Sequence, residues 1–126
     1  MTDTNETEVR NLMRRYFDGL YGADSAILRT VLHPAFSYVN ADATGQEFLG
    51  LDAYMARIDA RTSPSSRGEP RNESVERIML KDGQMGFVEA QTTMLGRDYQ
   101  DYLTLIRADG EWKIIAKVFT AREQEA

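Results

Sequence analysis

The chain has 126 residues with 15 basic and 20 acidic side chains, a formal net charge of −5, so one domain over 1–126 is expected and a nucleic-acid partner is not. It has no cysteine and one histidine, which excludes disulfides, thiolate chemistry and zinc ribbons and leaves no histidine-based metal site. Hydrophobic residues at 42% and charged residues at 28% make an ordinary globular mix, with no apolar run near the roughly 18 residues of a membrane span.

The polar start from Thr2 to Glu6 is unlike a secretory leader, and a cytoplasmic protein is expected. From Val9 the apolar positions Leu12, Met13, Tyr16, Phe17, Leu20 and Tyr21 repeat with the period of an amphipathic helix. Asn5 and Glu8 suit a capping box and Gly22 a stop. Asp24 or Ser25 starts a second helix with Ile27, Leu28, Val31 and Leu32 on its buried stripe, ended by Pro34. Phe36, Tyr38 and Asn40 alternate as on a strand, and a loop from Asp42 to Gln46 leads to a short strand at Phe48 and Leu49. After Gly50, the spacing of Leu51, Tyr54, Met55 and Ile58 predicts a third helix.

A Ser/Pro/Gly-rich stretch, "TSPSSRGEP", separates this half from four extended segments, about Glu73–Lys81, Met85–Leu95, Asp98–Arg107 and Glu111–Ala121. Asp82-Gly83, Gly96 and Asp109-Gly110 mark the turns between them. The tail from Arg122 to Ala126 is expected to fray. Helices followed by a strand meander predict an α+β fold: three N-terminal helices packed in the concave face of a curved, mainly antiparallel sheet.

Alternation sorts the strands into faces. Trp112, Ile114, Ala116 and Val118 are expected to face the helices, and Lys113, Ile115, Lys117 and Phe119 the outside. Gly86, Val88, Ala90, Thr92 and Met94 share a face whose small first residues predict unfilled volume, a pocket. Tyr99, Asp101, Leu103 and Leu105 share another, which puts a carboxylate among apolar side chains. Such a group is paired, hydrogen-bonded or protonated, as a structural aspartate or a site acid.

The stretches "RRYFDGLYGAD", "LHPAF", "GLDAY" and "DYLTLIRADGEWKII" resemble the nuclear transport factor 2-like superfamily over roughly residues 6–120. The resemblance is nearest to its lumazine-binding branch and more distant to SnoaL-like polyketide cyclases and ketosteroid isomerases. It implies a cone with a pocket at the open end and a homodimer through the convex sheet face, for which Ile115 and Phe119 are the expected contacts. Laid on the isomerase pattern, Tyr16 falls at the helix tyrosine and Asp101 near the late-strand acid. The base position holds Asn40, which cannot take a proton, leaving Asp42 and His33 as candidate bases.

Two readings follow. In the first, Tyr16 and Asp101 are polar contacts in a pocket walled by Phe36, Tyr38, Tyr54 and Trp112, which holds a small apolar or heteroaromatic molecule. The alternative is a cofactor-independent isomerase, cyclase or dehydratase acting on a carbonyl or enol. A third reading is a dimeric interaction module with a filled cone. His33 also suits a helix C-terminus, and Arg57 and Arg61 suit either a pocket mouth that attracts acidic ligands or a solvated helix end. No phosphate-loop, HExxH or GxSxG motif occurs, and no metal or cofactor is expected.

Overall fold

The computed structural model describes residues 3–124. In chain order the elements are α1 (Asp3–Gly22), α2 (Ser25–Val31), β1 (Leu32–Asn40), β2 (Glu47–Gly50), α3 (Leu51–Ala60), β3 (Glu73–Lys81), β4 (Met85–Met94), β5 (Arg97–Ala108) and β6 (Glu111–Glu123). The six strands form one sheet in the order β2-β1-β6-β5-β4-β3. Among the described residues only the β1–β6 pairing is parallel. The helices cover one face of this curved, open sheet, the α+β cone expected from the sequence.

Helix α1 buries the periodic stripe Val9, Leu12, Met13, Tyr16, Phe17 and Leu20. It begins earlier than the capping box implies, so Asn5 lies inside the helix; its side-chain oxygen accepts from Arg107 on β5, which also pairs with Glu8 at 2.9 Å. At the other end Ala23 takes the left-handed turn (φ 46°) and Asp24 caps α2 by accepting from the Ile27 amide at 3.1 Å. Helix α2 stops at Val31 rather than at Pro34. Leu32 pairs with Ile114 of β6, so His33 and Pro34 lie in the first residues of β1, a strand position that tolerates proline.

Tight turns set the meander's register. Leu95-Gly96 and Asp109-Gly110 each have positive φ at both residues (54° and 77°, 52° and 79°), the geometry whose twist matches a hairpin. Of the tail expected to fray, Arg122 and Glu123 continue β6 and the Gln124 amide donates to Gly96 O at 3.0 Å. Glu125 and Ala126 lie outside the described residues.

Two expectations about the sheet faces are corrected. The β5–β6 register shifts where Thr104 faces Ala116 and Leu105 faces Ile114, so Ile115 is the extra residue of a β-bulge. A bulge reverses inside and outside for everything beyond it. Trp112 and Ile114 face the helices as expected, but further along Lys117, Phe119 and Ala121 do, while Val118 is 39% exposed. Phe119 is therefore an interior residue and cannot be a convex-face contact; Ile115 is half-buried in the bulge. The unfilled volume predicted at the start of β4 is also absent: a Cβ on Gly86 would lie 2.7 Å from Leu80 Cδ2, so Leu80 occupies that space. No helix among the described residues is long and apolar enough to cross a membrane.

Candidate functional site

Tyr16 from α1, Tyr54 from α3, Asp101 from β5 and Lys117 from β6 meet at the centre of the cone. The Tyr16 hydroxyl donates to Asp101 Oδ2 at 2.7 Å. Lys117 Nζ lies 3.8 Å from the same oxygen and donates to the Tyr54 hydroxyl at 3.3 Å. Tyr16 is 0%, Asp101 1% and Lys117 4% exposed. Around the ammonium stand the rings of Tyr16, Tyr38, Tyr54 and Phe119, with centroids 5.1–6.0 Å from Nζ, within cation–π range.

Sequence alternation missed Lys117. It sits on the strand after the bulge at Ile115, and only the break in pattern at Ile114-Ile115-Ala116 hints at it.

Burial is the largest single influence on the Lys117 ammonium and works to discharge it, but the adjacent Asp101 carboxylate together with the Tyr16 and Tyr54 hydroxyls outweighs it, so the net direction of its pKa is well upward. Burial likewise pushes the Tyr16 phenol well above its ordinary value, and the Asp101 charge adds to that. Tyr16 therefore keeps its proton and directs it at Asp101. The centre is an ion pair with a phenol donating into it. In the arrangement implied by the isomerase resemblance, Tyr16 and a protonated Asp101 both donate to one substrate oxygen; here Tyr16 donates to Asp101 itself.

The cluster does not use all its hydrogen-bonding capacity. Asp101 Oδ1 and Thr92 Oγ1 are buried without a protein partner. Ala90 faces Asp101 across the β4–β5 ladder and Thr92 faces Tyr99, so Thr92 lies one interior position further along the same face. In that direction β5 goes from buried Leu103 and Asp101 to half-buried Tyr99, while Lys117, Phe119 and Ala121 on β6 all stay buried. A string of packed rings runs through this region: Tyr99–Phe119 at 6.0 Å, Phe119–Tyr38 at 5.1 Å, Tyr38–Tyr54 at 4.5 Å and Tyr54–Phe36 at 5.8 Å. Arg57 lies over the outer side of Tyr38 at 5.9 Å and pairs bidentately with Glu47 at 2.7 and 2.9 Å.

The other expected site residues separate into two groups. Asn40 and Asp42 lie beside Phe119 and Ala121 of β6 but are engaged locally: Asn40 Oδ1 accepts from the Asp42 amide at 2.9 Å, and Asp42 Oδ1 from the Ala121 amide at 3.3 Å. His33 and Trp112 lie away from the cluster. His33 borders a surface cleft of about 870 Å³ between α2, the start of α3 and the β5–β6 turn, and its Nδ1 accepts from the Ala35 amide at 2.9 Å. Trp112 packs under the Arg107 guanidinium at 4.8 Å. Arg61 lies at the C-terminal end of α3 with one guanidinium nitrogen buried and unpartnered. No three His, Asp or Glu side chains among the described residues gather as metal ligands.

A family described as "Putative lumazine-binding" matches residues 4–120. Three solved structures, all described as NTF2-like proteins of unknown function, share the fold. One from Shewanella baltica superposes with a TM-score of 0.87 at 17% identity, covering 98% of each chain. One from Silicibacter pomeroyi gives 0.84 at 18% identity, covering 97% of this chain and 99% of the other. One from Methylobacillus flagellatus gives 0.84 at 12% identity, covering 97% and 95%. No curated protein sequence matches.

Proposed function

The chain belongs to the lumazine-binding family within the nuclear transport factor 2-like superfamily, and from that premise we propose that it binds a small, flat, heteroaromatic molecule inside the cone. One observation carries the reading: an Asp101–Lys117 ion pair stands at the centre of an aromatic box with a buried carboxylate oxygen that no protein group uses. Taking two ions out of water costs several kcal/mol per ion, and such a pair is weak support for stability. Perturbed, desolvated charges of this kind concentrate at functional sites. The rings of Tyr38, Tyr54 and Phe119 offer stacking faces to a planar ligand, and Arg57 stands over Tyr38 toward the outside.

Lumazine itself, titrated into the protein by calorimetry, tests the proposal. One molecule should bind per chain, and Tyr38→Ala should weaken binding about tenfold, in line with the loss of one aromatic contact. Absence of saturable binding would refute it.

The acid–base enzyme draws less support. The Tyr16 proton is committed to Asp101, and Asn40, Asp42 and His33 are engaged elsewhere. Recovery of the added ligand chemically unchanged separates binding from turnover. The proposal includes a second copy of the chain on the convex face, through residues other than those first expected. Met79, Met85, Tyr102 and Val118 are exposed there, and the Phe87 and Tyr102 rings adjoin at 5.6 Å.

A further inference from the structure

Away from the central cluster, a hollow of about 240 Å³ lies between α1 and the β5–β6 turn, lined among others by Glu8, Leu12 and Arg15 of α1 and by Glu111 and Trp112 of β6. We propose that it binds a small monocarboxylate, one oxygen accepting from the Trp112 indole N–H and the other from the Arg15 guanidinium. The site shares no residue with the Tyr16, Tyr54, Asp101 and Lys117 cluster, so it stands whatever the cone itself binds.

Trp112 is 5% exposed, and its Nε1 is buried without a protein partner. An indole N–H only donates, and a buried donor with no acceptor forfeits the hydrogen bond it made to water. The Arg107 guanidinium over the ring at 4.8 Å brings only further donors.

The charges around the hollow leave one cation over. Glu8 pairs with Arg107 at 2.9 Å and Glu111 with Lys113 at 3.3 Å. Arg15 has no carboxylate partner among the described residues, and its guanidinium donates to Thr30 Oγ1 at 3.2 Å. The hollow is thus lined by one indole donor without an acceptor and one guanidinium without a counter-charge. A carboxylate supplies two acceptor oxygens and a single negative charge, and its hydrogen bonds to arginine are among the strong ones.

The same residues argue against the neighbouring ligand classes. An ammonium would leave the indole N–H unserved and face Arg15. A phosphate would set a second charge against Glu8 and Glu111, and a neutral carbonyl would leave Arg15 uncompensated. The volume is below the roughly 300–1,000 Å³ of drug-sized sites, which keeps the ligand small, and Leu12 with the indole ring offers an apolar wall to its body. Glu8 and Arg15 on the α1 side are exposed and change rotamer within nanoseconds, so entry asks no buried residue to move.

Trp112 is the one tryptophan in the chain, so 15N labelling gives a single indole N–H signal that reads the site directly. The probes are sodium benzoate, benzamide with the same ring and no charge, and sodium chloride at matched ionic strength. Benzoate should move the indole proton downfield and saturate, binding at least about tenfold more tightly than benzamide, while chloride leaves the signal in place. Arg15→Gln, a change at an exposed position, should weaken benzoate about tenfold and leave benzamide unchanged. An indole signal that benzoate does not move means that water alone serves Trp112, and the proposal falls. It falls equally if chloride or benzamide reproduces the benzoate shift at the same concentration, or if Arg15→Gln binds benzoate as the unmodified chain does.

Discussion

A lysine ammonium that is 4% exposed stays charged inside a protein only when an opposite charge compensates its lost hydration. Lys117→Met leaves the Asp101 carboxylate buried and uncompensated, and should lower unfolding free energy by about 3–5 kcal/mol. Adding Asp101→Asn removes the stranded charge, so the double variant should recover most of that loss; urea denaturation reads both values. The pair also fixes the sign of the pH response. Lys117 and Tyr16 both bind their protons more tightly in the folded chain, so their contribution is complete below the unfolded values, roughly pH 10. It is lost as pH rises from there through the folded values. Urea midpoints should therefore fall steeply above about pH 10, and less steeply in the double variant.

The sequence made Asp101 legible, since it stands on an apolar face, and Tyr16, since it lies on the helical stripe. Lys117 was not legible. One extra residue at Ile115 reverses the alternation, and the apolar run Ile114-Ile115-Ala116 hints at a break without marking which residue is the extra one.

At the scale of elements, local chemistry specified the ends of the meander strands. Asp-Gly at 82–83 and 109–110 supplies the left-handed residues a tight hairpin needs, and the structure uses them there. Helix boundaries were less legible because competing contacts decide them. Asn5 is drawn into α1 and held by Arg107 from β5, a partner with no signal in the local sequence. Where α1 crosses α2, Gly19 lets the helices approach: a Cβ there would lie 2.6 Å from Leu28 Cγ, and Leu28 is fully buried. Gly19→Ala gains about 1 kcal/mol of helix propensity but overpacks this contact by about 1–3 kcal/mol. The overpacking dominates, so thermal unfolding should show a lower midpoint for Gly19→Ala, against the direction that propensity alone gives.

For the molecule as a whole, the order of helices before strands and the resemblance carried the architecture, and the cone follows them. The interior did not follow from pattern alone. Small residues on β4 suggested a hollow, yet Leu80 from β3 fills the space beside Gly86. The polar centre lies instead further along the same face, by Ala90 and Thr92. The bulge also moves the apolar surface of the convex face from Phe119 to Val118 and its neighbours. Sedimentation equilibrium should report a dimer, and the pair Phe87→Lys with Val118→Lys should convert it to monomer with its ligand affinity unchanged. A dimer that survives both charges would move the interface elsewhere.

The central claim is a charged lysine inside the cone that a ligand touches, and the composition makes it directly measurable. The chain has three lysines, Lys81, Lys113 and Lys117, so lysine-selective 15N labelling gives three side-chain signals. The Lys117 signal should remain an ammonium at a pH where a lysine free in water has lost half its protons, roughly 10.4. Added lumazine at neutral pH should shift Lys117 and leave Lys81 unmoved. A Lys117 signal that loses its protons at or below that pH, or that stays still at saturating lumazine, would contradict the account.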